Sequence, residues 1–174
     1  MKAGAPQVGS PHIATEPMRR RHLPAVMRIE RRAHPKPWSL GVFTSELAQG
    51  DARSYIVLKV DGKVAGYGGL MFAADEAHVT NIVIAPTFRR QGLGAHLLAE
   101  LAREGARRQC TAMTLEVRMG NIAAQNLYRK FGFVVEGVRK NYYPETGEDA
   151  YIMWLHELLS PEVQARLKAL DEPL

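Results

Sequence analysis

A short segment rich in glycine and arginine, residues 89–95, has the clearest chemical meaning in this sequence. It follows the apolar run 82–85 and precedes a stretch with helical spacing. Gly92 and Gly94 let the backbone approach a ligand closely, and the N–H groups at a helix start favour negative charge. The segment therefore predicts an anion-binding site, although a tight strand-to-helix turn without a ligand has the same pattern.

Two common phosphate-binding motifs do not fit this segment. The dinucleotide-binding fingerprint needs a third glycine at position 97, which is Leu97. The Walker A motif needs a Gly-Lys-Ser/Thr sequence, which the chain lacks. A different type of phosphate binder is therefore required.

Two residues farther along the chain have side chains that move protons in enzymes. Glu116 lies near the end of a predicted strand, 113–117, and Tyr128 lies in the predicted helix that follows, 122–131. A carboxylate accepts a proton from nitrogen, and a phenol with a pKa of about 10 supplies one to a leaving group. Because a strand and the next helix carry them, both can face one cleft. Taken alone, Glu116 also fits a solvated rim carboxylate, and Tyr128 fits a core residue.

At these positions the chain resembles the GCN5-related N-acetyltransferase (GNAT) superfamily. The pyrophosphate signature of that superfamily, Gln/Arg-x-x-Gly-x-Gly/Ala, is matched by Arg89-Arg90-Gln91-Gly92-Leu93-Gly94. Over about residues 17–155 the chain is similar to the bacterial ribosomal-protein-alanine N-acetyltransferases (the RimI family). The similar segments are Glu30-Arg31-Arg32-Ala33-His34, Pro37-Trp38-Ser39, Leu115-Glu116-Val117-Arg118, Asn121 through Leu127-Tyr128 to Gly132-Phe133, and Arg139-Lys140-Asn141-Tyr142-Tyr143-Pro144.

This resemblance implies an enzyme that transfers acetyl from acetyl-CoA directly to an amine, without a metal. The backbone of Ile82, Val83 and Ile84 would hold the pantetheine arm, and Asn121 would bind the cofactor further along. Glu116 would be the general base, and Tyr128 the general acid toward the departing thiolate. The residues implied around the pyrophosphate are Arg89, Arg90, Gln91, Gly92, Leu93, Gly94 and Ala95.

The resemblance also implies a protein N-terminus as substrate, on an alanine-starting ribosomal protein. An α-amino group has a pKa of about 7.7–8.0 against about 10.4 for lysine, so an α-amine is easier to deprotonate at neutral pH. Trp38, Tyr142 and Tyr143 would form the walls of a peptide groove, or else anchor their loops. Three alternatives stay open: acetylation of lysine side chains, acetylation of a small-molecule amine, and a non-catalytic acetyl-CoA- or ribosome-binding module.

Hydrophobic periodicity predicts the elements that must position these residues. Antiparallel hairpins in the first half are followed by two β–α crossovers, which indicates an α+β protein rather than a doubly wound fold or a barrel. The resemblance implies a GNAT-type acyl-CoA N-acyltransferase fold, with a mixed, mostly antiparallel central sheet flanked by helices. The predicted strands cover 13–15, 55–60, 63–71, 77–84, 113–117, 134–142 and 150–155, and the predicted helices 23–30, 39–49, from 94, 122–131 and from 161.

Composition sets the remaining expectations. A chain of 174 residues suits one main domain, predicted here at 12–158, with a flexible N-terminal tail at 1–11 and a C-terminal helical extension at 159–174. A net charge of +5 favours polyanionic partners or simply a solvated surface, and the proposed activity requires no direct nucleic-acid binding. The single cysteine and the absence of a long apolar run predict a cytoplasmic protein with no membrane partner. The six histidines show no metal-ligand spacing, and the oligomeric state stays open.

Overall fold

A central sheet of seven strands organises the protein, whose structure is a computed structural model that describes residues 10–171. Five α-helices flank the sheet in that range, and the order of elements agrees with the order predicted from the sequence. The elements are β1 Ile13–Pro17, α1 Leu23–Ala33, α2 Leu40–Leu47, β2 Arg53–Val60, β3 Lys63–Ala73, β4 Glu76–Ile84, α3 Leu93–Arg107, β5 Ala112–Arg118, α4 Ile122–Phe131, β6 Val134–Tyr143, β7 Glu148–Leu155 and α5 Pro161–Asp171.

Local sequence signals account for several element ends. Asp61 and Gly62 both have positive φ, 49° and 78°, as a primed turn between β2 and β3 requires. Ser39 caps α2 by accepting a hydrogen bond from the N–H of Val42. Gly132 ends α4 in the left-handed conformation, with φ 98°. These turn and cap predictions are therefore confirmed.

The strands lie in the order β1-β2-β3-β4-β5-β7-β6. Every neighbouring pair is antiparallel except β4 and β5, which run parallel and are joined through α3. A parallel pair needs such a crossover, whereas the antiparallel pairs β2–β3, β3–β4 and β6–β7 are joined by short hairpin connections. The predicted mixed, mostly antiparallel sheet is confirmed.

Side chains alternate across the sheet and build a separate core on each face. Leu101 of α3, Phe131 of α4 and Met153 of β7 lie in the core of one face and are fully buried. Val26 of α1 and Phe43 of α2 pack on the opposite face and are also fully buried. The sheet is thus covered by α3, α4 and α5 on one side and by α1 and α2 on the other, over β2 to β4.

The C-terminal helix belongs to the larger of these cores. Val163 and Leu167 of α5 are buried in it, and Ser160 caps the helix by accepting a hydrogen bond from the N–H of Val163. Arg166 donates a hydrogen bond to the carbonyl of Phe131 at 3.5 Å. The predicted extension 159–174 is therefore packed on the domain as far as residue 171, while most of the predicted tail, residues 1–9, lies outside the described residues.

No helix within residues 10–171 is long and apolar enough to cross a lipid bilayer.

Candidate active site

The parallel strands β4 and β5 stay together for only three residue pairs, from Glu76–Ala112 to His78–Thr114. Beyond that point β4 continues against β3 and β5 continues against β7. A bulge at Thr80 explains the separation, since Gly69 pairs with Asn81 and Leu70 with Val79. Bulges bend a strand and increase its twist. The result is a wedge between β4 and β5, which we call the β4–β5 wedge.

A cavity of about 580 Å³ lies at this wedge. Its walls come from both faces of the sheet, from the segment between α1 and α2, and from the β6–β7 hairpin. The residues predicted from the sequence that line it are Trp38, Ile82, Glu116, Asn121, Tyr128, Tyr142 and Tyr143.

Glu116 enters the cavity from β5 on the face covered by α1 and α2. Its side chain is 7% exposed and has two basic partners: His78 Nε2 lies 2.6 Å from Oε2, and the Nε of Arg139 donates to Oε1 at 3.0 Å. Burial alone would raise the pKa of Glu116, but the hydrogen bond and charge of His78, together with Arg139, outweigh it and lower the pKa. Glu116 is therefore an ionised carboxylate at neutral pH.

Tyr128 reaches the cavity from α4, on the opposite face of the sheet. It is 6% exposed and packs in the same core as Leu115 and Val117, the neighbours of Glu116 that point the other way. Its hydroxyl forms no hydrogen bond with the described part of the chain. Burial, with a smaller contribution from Tyr143, raises the pKa of Tyr128, so the phenol stays protonated through the neutral range. A proton acceptor and a proton donor thus face one cavity from opposite sides.

The glycine segment lies at the start of α3, outside the set of residues that line the cavity. Gly92 is the N-cap of α3 with φ 76°, and Arg90 before it has φ 62°. A Cβ atom on Gly92 would meet nothing within 4 Å, so the backbone there is open to a ligand. Leu93 is buried and anchors the turn, while the first N–H groups of the helix have no partner inside the helix. The segment fits a diphosphate, as the anion prediction requires.

The other residues predicted to bind the cofactor lie on β4, at the start of α4 and around the start of α3. The side chain of Val83 is buried in the core beneath α1 and α2, so only its backbone is available to a ligand. The carbonyl of Ile84 accepts a hydrogen bond from Arg89 Nε at 3.3 Å. Asn121 caps α4 through its side chain, which accepts from the N–H of Ala124. Gln91 lies in the turn before α3, and Gly94 and Ala95 lie in the first turn of that helix.

The wedge offers polar groups that suit the amide-rich arm of coenzyme A. Beyond His78, residues 79–84 of β4 have no strand partner on the β5 side within residues 10–171. Asn81 Oδ1 is buried there without a hydrogen-bond partner among the described residues, and an orphaned polar atom marks a place where a ligand supplies one. Within the same range there is no group of three or more His, Cys, Asp or Glu side chains that could hold a metal ion.

Aromatic residues form the outer wall of the cavity. Trp38 is fixed through its backbone N–H, which donates to the buried carboxylate of Glu30 at 2.9 Å, and its ring packs edge-on against Phe43. Tyr142 and Tyr143 meet edge to face with centroids 5.1 Å apart. Arg118 stacks over the ring of Tyr143 at 3.7 Å, and burial raises the pKa of Tyr143 to about 12. All three aromatic rings line the cavity.

Sequence reasoning did not single out His78 or Arg139 as partners of Glu116. One signal was available, because a β–α–β crossover places β4 beside β5 in a parallel pair. The register of that pair depends on tertiary packing, so the sequence does not show that His78 reaches Glu116. Glu30 was noted only as part of a similar segment, not as the anchor of Trp38.

Comparison with known proteins identifies the family. Residues 23–133 match the family model described as "Acetyltransferase (GNAT) family". The chain is 43% identical over 135 residues to the [ribosomal protein bS18]-alanine N-acetyltransferase of Escherichia coli (strain K12), covering 76% of this chain and 90% of that protein. It is 35% identical over 128 residues to the enzyme of the same name from Haemophilus influenzae, covering 72% of this chain and 86% of that protein.

A solved structure gives the same answer. The crystal structure of the ribosomal-protein-S18-alanine N-acetyltransferase from Escherichia coli superposes with a TM-score of 0.78 at 38% identity, covering 87% of this chain and 97% of that one. Acetyltransferases of the GNAT family use acetyl-CoA, which the wedge and the glycine segment fit. The chain therefore belongs to the GNAT family of acetyl-CoA-dependent N-acetyltransferases and, within it, to the ribosomal-protein-alanine N-acetyltransferase (RimI) family.

Proposed function

We propose that this protein acetylates the α-amino group of a protein N-terminus, that of an alanine-starting ribosomal protein. The observation that carries the proposal is the placement of Glu116 and Tyr128 on opposite faces of the sheet, both lining the β4–β5 wedge. Transfer to an amine needs a proton removed from nitrogen and a proton given to sulfur. Glu116 can accept the proton from nitrogen and Tyr128 can donate one to sulfur, and the two residues lie on opposite sides of the same cavity.

Backbone groups carry most of the binding of acetyl-CoA. The unpaired edge of β4 at Ile82, Val83 and Ile84 binds the amide-bearing arm of acetyl-CoA, and residues 89–95 bind the diphosphate at the start of α3. Acetyl-CoA supplies the acetyl group as a thioester. Asn121, at the start of α4, completes the cofactor contacts beside the cavity.

Two side chains carry out the proton transfers. Glu116, held ionised by His78 and Arg139, accepts a proton from the incoming amine. Tyr128, kept neutral by burial, donates its hydroxyl proton toward the sulfur that leaves. In this scheme the acetyl group passes directly to the amine, and the buried Cys110, which does not line the cavity, takes no part.

The choice of an N-terminal substrate rests on chemistry and on the relatives. An α-amine has a pKa about 2.5 units below that of lysine, which suits a carboxylate acceptor. The aromatic rings of Trp38, Tyr142 and Tyr143, which line the cavity, offer flat surfaces to a peptide backbone. The relatives are named for acetylation of an alanine on ribosomal protein bS18, and such a substrate implies a cytoplasmic enzyme.

Mass spectrometry on a panel of amines tests this proposal. The panel contains a peptide that begins with a free Ala, the same peptide with a blocked N-terminus and an internal lysine, and a polyamine. We expect one added acetyl group, on the α-nitrogen of the first peptide only. Acetylation of the blocked peptide or of the polyamine at an equal or higher rate would replace the proposal with a lysine or small-amine acetyltransferase.

A further inference from the structure

A histidine that the resemblance did not implicate lies directly against Glu116. His78 is in the last residue pair that β4 shares with β5, and its Nε2 lies 2.6 Å from Glu116 Oε2. The side chain of His78 is 26% exposed and lines the cavity, whereas that of Glu116 is 7% exposed. His78 is therefore the member of this pair with the more open path to water.

An isolated carboxylate holds the proton of an α-ammonium poorly. Reference pKa values of about 4.3 for glutamate and 7.7–8.0 for the ammonium make that transfer unfavourable by roughly three orders of magnitude. For an imidazole, with a reference pKa of about 6.5, the same transfer is unfavourable by roughly one order. Arg139, on the other oxygen of Glu116, has a guanidinium group, which offers only donors and no acceptor nitrogen. Of the two groups bonded to Glu116 in the described chain, the imidazole of His78 is therefore the one with a nitrogen that can accept a proton.

We propose that Glu116 and His78 act as a single proton-accepting pair for the reacting amine. In the form that accepts a proton, the pair holds one proton between Oε2 and Nε2, which lie 2.6 Å apart, and has a net charge of −1. When the substrate ammonium loses a proton, the pair gains it and becomes neutral overall. Loss of a proton from the imidazole to water restores the accepting form. The inference rests on the proposed function in one respect, namely that an amine is the group deprotonated.

The surroundings of the pair favour this assignment. Arg139 holds Oε1, and burial followed by the charge of Glu116 raises the pKa of the neighbouring Tyr142. The strand neighbours of His78, Met71 on β3 and Thr114 on β5, are uncharged. Within residues 10–171, only Glu116 forms a hydrogen bond or ion pair with His78. The other charged or titratable residues that line the cavity are Glu30, His34, Lys36, Arg118, Tyr128, Tyr143 and Glu145.

The chain offers a matched control for this pair. His156 Nε2 contacts Glu136 Oε1 with the same chemistry, but both side chains are about half exposed and neither lines the cavity. A change at His156 therefore removes a histidine–glutamate contact without touching the proposed site.

Steady-state rates test the pair as a unit. His78→Gln keeps a donor toward Glu116 but cannot hold an extra proton, and we expect kcat at pH 7 to fall about 10- to 100-fold. The double variant with Glu116→Gln should lose no more than a fewfold beyond the worse single variant, because residues that act as one unit are strongly non-additive. His156→Gln should stay within twofold of the wild type. The pH dependence of kcat should change in the His78 and Glu116 variants and stay unchanged in His156→Gln.

Readouts that do not depend on catalysis accompany these rates. We expect an NMR signal from the His78 ring N–H, protected from exchange by Glu116, that disappears in Glu116→Gln while the His156 ring is unaffected. Calorimetry with acetyl-CoA should give an unchanged affinity for His78→Gln, and thermal unfolding should show a folded protein.

The outcomes separate this inference from the proposed function. The rates are measured with whichever amine the wild type acetylates. If the wild type acetylates an amine and His78→Gln matches it at every pH, the pair is wrong and the function stands. Multiplicative losses in the double variant, or a His78 signal unchanged by Glu116→Gln, also overturn the pair. If the wild type acetylates no amine, both proposals are wrong.

Discussion

The two ends of the junction between β4 and β5 differ in pairing, packing and chemistry. At the closed end, Ala77 and Met113 are fully buried, and a Cβ on Gly105 of α3 would approach their side chains to 3.4–3.5 Å. At the open end, β4 and β5 separate after His78, and Glu116 lines the cavity there with its basic partners. The closed end is thus tightly packed and the open end holds polar and charged groups. A short parallel pairing is sufficient to position a site whose two strands have no backbone pairing beyond His78.

The largest expected effect is at the carboxylate of the open end. Glu116→Gln removes the proton acceptor and should lower kcat about 10- to 10³-fold at neutral pH, with acetyl-CoA affinity little changed. Stopped or continuous assays of coenzyme A release measure kcat, and calorimetry measures the affinity for acetyl-CoA. Glu136→Gln is the matched control, since that carboxylate lies outside the cavity. Unchanged turnover of Glu116→Gln across pH 6 to 9 removes Glu116 from its role.

The next effect concerns the donor on the opposite face. Tyr128→Phe deletes a hydroxyl that has no hydrogen bond in the described structure, so we expect unfolding free energy to change by less than about 1 kcal/mol. The loss of a proton donor to sulfur should lower kcat about 10- to 100-fold. Chemical denaturation and turnover are measured on the same preparation. A variant that loses stability and retains its rate shows instead that Tyr128 is a core residue.

A smaller effect is expected at the glycine segment, beyond the wedge. Gly92→Asp places an anion against the diphosphate site and should weaken acetyl-CoA binding by about tenfold or more. Gly62→Asp is the control, because Gly62 has a nearly equal φ of 78° and equal free space around its Cβ position but lies in a distant hairpin. Calorimetry on both variants separates backbone strain from charge. Equal affinity in the two variants contradicts the assignment of the loop.

The smallest effect on activity is expected at the closed end. Met113→Ala leaves a cavity in the fully buried core and should cost about 2–5 kcal/mol of unfolding free energy. At a temperature where the variant stays folded, its kcat should remain within about twofold of the wild type, since Met113 does not line the cavity. Denaturant unfolding and turnover measure the two quantities. A large fall in kcat without loss of stability would mean that the closed end also takes part in the chemistry.

Local sequence signals were sufficient for the elements, whereas the residues predicted to line the site came from the resemblance to the RimI family. Glu116 and Tyr128 lie on a strand and on the next helix, which allows both to face one cleft, and both line the cavity. The bulge at Thr80 and the three-pair register with β5 are not local. They depend on how α3 packs against Ala77 and Met113. The contact between His78 and Glu116 follows from that packing, so it could not be read from the sequence.

The position of the wedge between two faces of the sheet has a kinetic consequence. Tyr128 and Glu116 stand on opposite sides, so the thioester and the nucleophile can occupy the protein at the same time. Coenzyme A therefore does not have to leave before the amine binds. Initial-velocity plots at several fixed concentrations of either reactant should therefore give intersecting lines, the signature of a ternary complex, rather than the parallel lines of a ping-pong enzyme.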